Sequence, residues 1–263
     1  MEILVCVRRV PDTSENEIQL NTAGNDIERD DLVYSINEPD NYAVEEALQI
    51  TAKAGGSVTV VTVGSDDDEE VLRREMAMGA SRGVLLSDES FDGSDGKGIA
   101  TILKGYVHMG HFDLILTGVQ AEDGGAQIGG MLAALLDYPF ASLVNSIEVL
   151  DGRKLKVSRE IEGGNKEINE IDLPCVLSIQ TGINEPRYVG MRGIRQVASV
   201  PIPTFGAAGL GVGASAVGEA AAKVKRVDYF IPVLGNGAEI LHGTREENID
   251  KVLELVAAKG GLK

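Results

Sequence analysis

FDLILTGVQAEDGGAQIGGMLAALL, residues 112–136, decides how the chain is read. Its apolar opening (Phe112, Leu114, Ile115, Leu116) suits a buried strand, its polar glycine-rich middle a loop, and its Ala/Leu/Met-rich end the 3.6-residue period of a helix. In an open α/β sheet the carboxyl end of such a strand is where ligands sit, and the next helix begins with unpaired N–H groups and a partial positive charge. A phosphate suits that place. Gly124, Gly125, Gly129 and Gly130 would let it approach the backbone, and Gln120 and Gln127 offer uncharged hydrogen-bonding groups. The same residues also read as a plain glycine-eased turn with Asp123 capping the helix. The glycines follow neither G-x-G-x-x-G nor a P-loop, because no Gly-Lys-Ser/Thr follows.

Upstream, strand and helix alternate. Residues 2–7 predict a short buried strand, and no glycine-rich turn follows it. Residues 14–31 are polar, a loop or irregular hairpin. Asn37-Glu38-Pro39-Asp40 then leads into YAVEEALQITAKA, a helix stopped by Gly55-Gly56. SVTVVTV (57–63) is β-branched enough for a central strand, and the acidic run 66–70 suits the start of a helix that Gly79 closes. A strand over 83–87, a Gly/Asp/Ser loop from Phe91 to Gly98 and a helix over 99–109 complete this half. The pattern predicts an α/β fold: an open, mostly parallel sheet with crossover helices.

Downstream the period changes. Residues 141–150, 153–161 and 166–180 alternate apolar and polar around Asp151-Gly152 and Gly163-Gly164, which predicts added antiparallel strands. Thr181 to Tyr188 is too polar and too broken by Pro186 to remain a strand. From Pro201 to Gly243 the chain is rich in Gly, Ala and Pro with little period, and reads as an extended arm on another chain or as a flexible tail. An amphipathic helix over 244–258, with a Thr244/Glu247 capping box, favours the docked arm. The expected division is an α/β domain over 1–200 and a C-terminal arm and helix over 201–263.

Composition narrows the function. With 43% apolar residues in 263 the chain forms a real core, and a formal charge of −17 without tryptophan argues against nucleic acid and anionic lipid. No apolar run is long enough for membrane insertion, and Met1 leads straight into EILVCV without a signal-peptide pattern, so a cytoplasmic protein is expected. Cys6 and Cys175 lie in separate apolar runs and read as free thiols. His108 and His111 have no third ligand nearby, so no metal site is expected. No carboxylate pair or Ser/His/Asp set marks a catalytic centre.

Six tracts, VCVRRVPDT, INEPDNYAVEEAL, MAMGASRG, TGVQAEDGGAQIGG, VSREIEGG…LPCVLS and NEPRY, run in order over about residues 1–200 and resemble the β (small) subunit of the electron transfer flavoproteins. The resemblance implies a heterodimer with an α subunit that carries an electron-transferring FAD, and an adenine nucleotide in this subunit. It places the nucleotide contacts on Cys6, Asn37, Val63 and the loop from Gln120 to Gly129. There Asp123 would hold the ribose, and the backbone of Gly124, Gly125, Ala126 and Gln127, leading into Ile128, the phosphate. The loop is one residue shorter than usual in the family, and Asn169 stands where an aliphatic residue is usual.

The nucleotide is AMP in the simple carriers and a second FAD in the electron-bifurcating branch. Val10 to Thr13, Asn37 to Asp40 and Phe91-x-Gly93-Ser94-Asp95 resemble the bifurcating branch, so FAD is expected, with Ser94, Asp95 and Thr101 lining the flavin. NADH and ferredoxin or flavodoxin would then be electron partners. Asn184, Glu185, Pro186, Arg187 and Tyr188 match the tract that opens the docking loop for a flavin dehydrogenase, possibly of acyl-CoA type, with Met191 as the apolar anchor. A stand-alone adenine-nucleotide sensor is the competing expectation, and the long arm argues against it.

Overall fold

The computed structural model describes residues 1–121, 125–150, 153–233, 235 and 237–261. Eighteen α-helices and β-strands among the described residues belong to a larger unit, residues 1–19 and 28–227. In chain order these are β1 (Glu2–Cys6), β2 (Arg9–Pro11), β3 (Tyr34–Ile36), α1 (Glu38–Ala54), β4 (Ser57–Val63), α2 (Glu69–Met78), β5 (Arg82–Leu86), α3 (Gly96–Val107) and β6 (Leu114–Gly118). Next come α4 (Ile128–Leu136), β7 (Phe140–Val149), β8 (Lys154–Ile161), β9 (Asn165–Asp172) and β10 (Cys175–Ile179). The last four are α5 (Met191–Val197), β11 (Thr204–Phe205), α6 (Ala207–Leu210) and α7 (Gly218–Ala221).

Among the described residues, nine strands form one sheet in the order β11-β5-β4-β1-β6-β10-β7-β8-β9, and β2 pairs with β3 in a separate antiparallel ribbon. From β11 to β7 every neighbour is parallel; β8 and β9 are added antiparallel. The expected mostly parallel α/β sheet is thus present. One expectation about its second half changes. Residues 166–180 are two strands, not one, and β10 inserts in parallel between β6 and β7. Pro174 has no N–H for the ladder and divides the run.

The central strands are buried on both faces. Ile3 and Val5 of β1, with Val58 and Val60 of β4, face α1 and α2, whose Ala43, Val44, Ala47, Val71 and Leu72 complete that layer. Leu4 and Val61 face the opposite layer of Ile102 and Leu103 from α3 and Leu132 and Ala133 from α4. Each fully buried aliphatic side chain contributes about 1.5–3 kcal/mol. The outer strand β9, NKEINEID, is guarded by charge: Lys154 lies 3.5 Å from Asp172 and 3.9 Å from Glu170 across the ladder.

Residues 201–227 stay with the larger unit. Thr204 and Phe205 pair with Leu85 and Leu86, and Leu210 and Val217 are buried in the core layer of α3. A smaller unit joins residues 20–27, closed by a Leu20–Ile27 bridge, to the chain from Asp228 onward. Within it Tyr229 N–H donates to the Gly24 carbonyl, and α8 (Arg245–Ala258) carries the expected Thr244/Glu247 capping box. Along α8, Ile249, Val252, Leu253, Leu255 and Val256 are exposed, as are Phe230, Ile231 and Val233 before it.

Glu75 stands out on the buried face of α2. It is 0% exposed, and among the described residues neither carboxyl oxygen has a hydrogen-bond partner. Burial pushes its pKa up to about 8, opposed by Arg74 and reinforced by Asp40 and Glu45. The unfolded chain therefore loses this proton near 4.5 and the folded chain near 8, so stability falls as pH rises between them. Glu75→Gln should unfold in urea like the wild type near pH 4.5 and gain with pH, reaching roughly 4–5 kcal/mol near pH 8. Parallel unfolding curves at every pH would contradict this.

Candidate functional site

The direction of the crossovers reverses between β1 and β6. The chain leaves β1 towards β4 and β5, and returns through α3 to β6 on the other side of β1. The carboxyl ends of these two strands diverge into the crevice where open α/β sheets bind ligands.

One side chain fixes its floor. Asp40, in the first turn of α1, accepts the Gly118 N–H through Oδ1 at 2.9 Å and the Arg8 N–H through Oδ2 at 3.0 Å. It ties the end of β6 to the residues just past β1. Burial pushes its carboxyl up to about 7, against the Asn37 amide and the two N–H groups that favour the ionised form. Gly118 is needed here because a Cβ would stand 2.4 Å from Asp40 Oδ1. Sequence reading missed Asp40: its tract was visible as a helix start, but nothing tied it to a residue 78 positions away.

Asn37 precedes α1 and forms one wall. Its Nδ2 donates to the Gln120 carbonyl at 3.0 Å and its backbone N–H to the Arg8 carbonyl at 2.8 Å. The residue is 1% exposed, and its Oδ1 has no partner among the described residues. Cys6 ends β1 and Val63 ends β4, both partly buried on the same rim. Burial and the nearby Asp40 carboxylate push the Cys6 thiol up, which disfavours its thiolate. Cys175 is buried, and its thiol is pushed up to about 12 by burial. Neither cysteine is in a disulfide.

The opposite wall is the loop into α4. Gly125, Ala126 and Gln127 are exposed, and Ala126 holds φ +56°, a left-handed conformation that costs an L-residue about 1–2 kcal/mol. Gln127 is the N-cap of α4 but makes no side-chain cap bond, which leaves the first-turn N–H groups at Gly129 and Gly130 without that partner. Gly129 is buried for another reason. A Cβ there would lie 2.3 Å from Ser178 Oγ and 2.9 Å from Thr117 Oγ1, so its absence lets α4 rest on β6 and β10 over that hydroxyl pair. Asp123 and Gly124 lie outside the described residues.

Each of the three residues expected to line a flavin makes hydrogen bonds within the chain. Asp95 caps α3 through the Gly98 N–H at 3.0 Å and accepts the Lys223 N–H at 2.6 Å; Ser94 Oγ accepts the Gly218 N–H at 2.7 Å. Together they pin the segment 218–224. Thr101 returns its hydroxyl to the Lys97 carbonyl at 2.8 Å. The amino ends of α3 and α4 do come together, a Cβ on Gly96 lying 3.0 Å from Gln127 Oε1.

The tract from Asn184 to Tyr188 is fastened to α1. Asn184 Nδ2 donates to Glu46 Oε2 at 3.0 Å and to the Tyr42 carbonyl at 3.1 Å, and Arg187 grips Glu45 through Nε at 2.7 Å and Nη2 at 2.9 Å. Burial alone would raise Glu45, but the Arg187 bonds hold its pKa below the ordinary value. This anchorage turns Tyr188 (90% exposed) and Met191 (64% exposed) outward, while Glu185 is exposed and Pro186 half-buried. Among the described residues no group of three or more His, Cys, Asp or Glu is placed to hold a metal.

A family model for the electron transfer flavoprotein domain matches residues 25–210. The chain belongs to the electron transfer flavoprotein family. It is 35% identical over 260 residues to the electron transfer flavoprotein subunit beta of Methylophilus methylotrophus, covering 97% of this chain and 98% of the relative. It is 33% identical to the subunit of the same name from Bacillus subtilis (strain 168), with 98% of each covered. The caffeyl-CoA reductase-Etf complex subunit CarD of Acetobacterium woodii is 35% identical over 247 residues, 93% of each chain. The chain is therefore an electron-transfer subunit of β type, which implies an α-subunit partner and a dehydrogenase or reductase as electron partner. No described helix is long and apolar enough to cross a membrane.

Asp40→Asn leaves one acceptor for two N–H donors and should cost about 1–3 kcal/mol in urea unfolding at pH 8. Amide hydrogen exchange at Arg8 or Gly118 should accelerate in that variant; unchanged protection at both would show that the clamp does not hold the crevice.

Proposed function

We propose that the crevice between β1 and β6 holds the adenylate of a nucleotide, and that the chain is the β subunit of a cytoplasmic electron-bifurcating heterodimer. The reading rests above all on Asn37: a wall residue 1% exposed whose buried Oδ1 has no partner among the described residues. A buried acceptor left unpaired costs about 1–3 kcal/mol, and a donor such as an adenine amino group would satisfy it. The uncapped amino end of α4 and the exposed Gly125–Gln127 backbone suit a phosphate. Asp123 and Gly124 complete that loop in the proposal, Asp123 towards the ribose. Cys6 and Val63 supply the partly buried rim.

FAD is the nucleotide favoured, on the strength of the tracts at Val10 to Thr13, Asn37 to Asp40 and Phe91 to Asp95. When bound, its isoalloxazine would supply the redox chemistry, exchanging electrons with NADH, ferredoxin or flavodoxin, and the second FAD of the α subunit. The chain's own work is to bind and orient it: Asp40 fixes the crevice floor, Asn37 and the α4 loop the adenylate. The second reading is a non-bifurcating carrier with AMP in the same cradle. One observation favours it: Ser94 and Asp95, expected to line a flavin, already hold residues 218–224. The exposed apolar side chains of the smaller unit, Phe230, Ile231 and Val233 with those of α8, support docking on the α subunit and speak against a stand-alone sensor.

Denaturing the purified heterodimer and counting cofactors should give two flavins; one flavin with one AMP would overturn the bifurcating reading and leave the cradle intact. The dehydrogenase should dock through Asn184 to Tyr188 and Met191. Met191→Ala should slow electron exchange with the dehydrogenase about tenfold or more at unchanged nucleotide content. An unaltered rate would remove Met191 from the docking site.

A further inference from the structure

α5 is a short helix held on α2 by one side. Arg73 spans its end, donating through Nη1 to the carbonyls of Val197, Ala198 and Val200 at 3.0–3.1 Å while its Nη2 pairs with Glu69 at 2.7 Å. Gly193 sits close to α2, where a Cβ would lie 3.0 Å from the Ala77 carbonyl. The other side is open. Met191 and Ile194 face a cleft of about 460 Å³ shared with Tyr188, Val189, Pro186, Arg187, Asn41 and Arg74.

The charge around this apolar patch is opposite to that of the protein. The chain carries 41 acidic residues and a net −17, yet residues 186–218 contain no Asp or Glu and hold Arg187, Arg192 and Arg195. Arg187 is neutralised by Glu45, but Arg74, Arg192 and Arg195 make no ion pair among the described residues, and Arg192 and Arg195 are exposed. The acids of α2 are paired elsewhere or buried. Glu69 pairs with Arg73, Glu70 with Arg9 at 3.4 Å, and Glu75 is buried with its pKa raised to about 8. Arg192 and Arg195, without an ion pair among the described residues, and Arg74, whose charge also bears on Glu75, therefore lie around two exposed apolar side chains on a strongly acidic molecule.

Resting on the docking reading given above, we infer that the flavin dehydrogenase bound here presents an apolar pocket rimmed by carboxylates, and that Arg74, Arg192 and Arg195 steer it onto Met191 and Tyr188. Elsewhere the net negative charge repels an acidic partner, so the basic frame also selects the face that meets it. Apolar anchors set how long such a complex lasts, whereas unpaired rim charges set how fast it forms and how strongly salt slows it.

The test uses the intact α/β heterodimer and the flavin dehydrogenase that co-purifies with it from the native cell, with flavin reduction followed in stopped flow. Arg192→Gln/Arg195→Gln should lower the second-order rate about tenfold at roughly 20 mM salt, and the difference should vanish by about 0.5 M as screening shortens to a few ångströms. Met191→Ala should slow the reaction by a similar factor at both salts. A double arginine variant with wild-type rate and salt slope, beside a slowed Met191→Ala, overturns the electrostatic inference and leaves the docking site standing. Wild-type rates from Met191→Ala as well would reject the docking reading itself. A smaller sedimenting assembly for the arginine variant would show that the face holds a second copy, which also overturns the inference.

Discussion

The Asp40 carboxylate is the joint on which the candidate site depends. In a parallel sheet the strands on either side of the reversal are held together along their length but carry their chains away in different directions at the ends. Here the carboxylate reaches from α1 to a backbone N–H past each end, Arg8 and Gly118, and fixes their separation. Main-chain groups that would otherwise need solvent become part of the fold, and the Asn37 side chain one turn earlier is left to close the wall on the Gln120 carbonyl. The acid carries a penalty for burial, seen in a pKa near 7, which two N–H donors and the Asn37 amide only partly offset.

Two glycines show how closely the parts must meet. At Gly118 the space of a Cβ is taken by Asp40, and at Gly129 by the Thr117 and Ser178 hydroxyls. The glycine-rich stretch around residue 125 thus divides by function. Gly129 serves packing of α4 on the sheet, while Gly125 is exposed and the nearest described atoms to a Cβ there belong to the Gln127 side chain. Composition alone makes these glycines look equivalent; the contacts of a missing Cβ separate them.

Much of the first half of the fold was legible in the sequence because each element carries its own signal. SVTVVTV forms β4 over the residues expected, and Gly55 and Gly79 terminate α1 and α2. The helix after the glycine-rich tract begins at Ile128, and the Thr244/Glu247 box caps α8. What stayed hidden depends on contacts between distant residues. The parallel insertion of β10 between β6 and β7 cannot be seen in CVLSI, since a buried parallel strand lacks the alternation that reveals pairing. The two-residue edge strand at Thr204 has too few positions to show any period. Ser94 and Asp95 have the chemistry of ligand groups, and the sequence does not show that Ser94 Oγ and Asp95 Oδ2 accept N–H groups of residues 218–224, more than a hundred positions away.

The exposed apolar surface is of two kinds, and the difference bears on how each is used. In the smaller unit, Phe230, Ile231 and Val233, with five apolar residues of α8, lie exposed. Such a surface gains from burial over a wide area and suits a permanent subunit contact, where association need happen only once. At α5 the apolar area is small, Met191, Ile194 and Tyr188, and its surroundings are charged. A carrier must release its electron partner after each transfer, so a contact built from a few anchors and a guiding field is better suited to it than a large one. The contrast is visible in the sequence: exposed Val, Ile, Leu and Phe side chains gather in the smaller unit, whereas Arg187, Arg192 and Arg195 are interspersed with Tyr188, Met191 and Ile194.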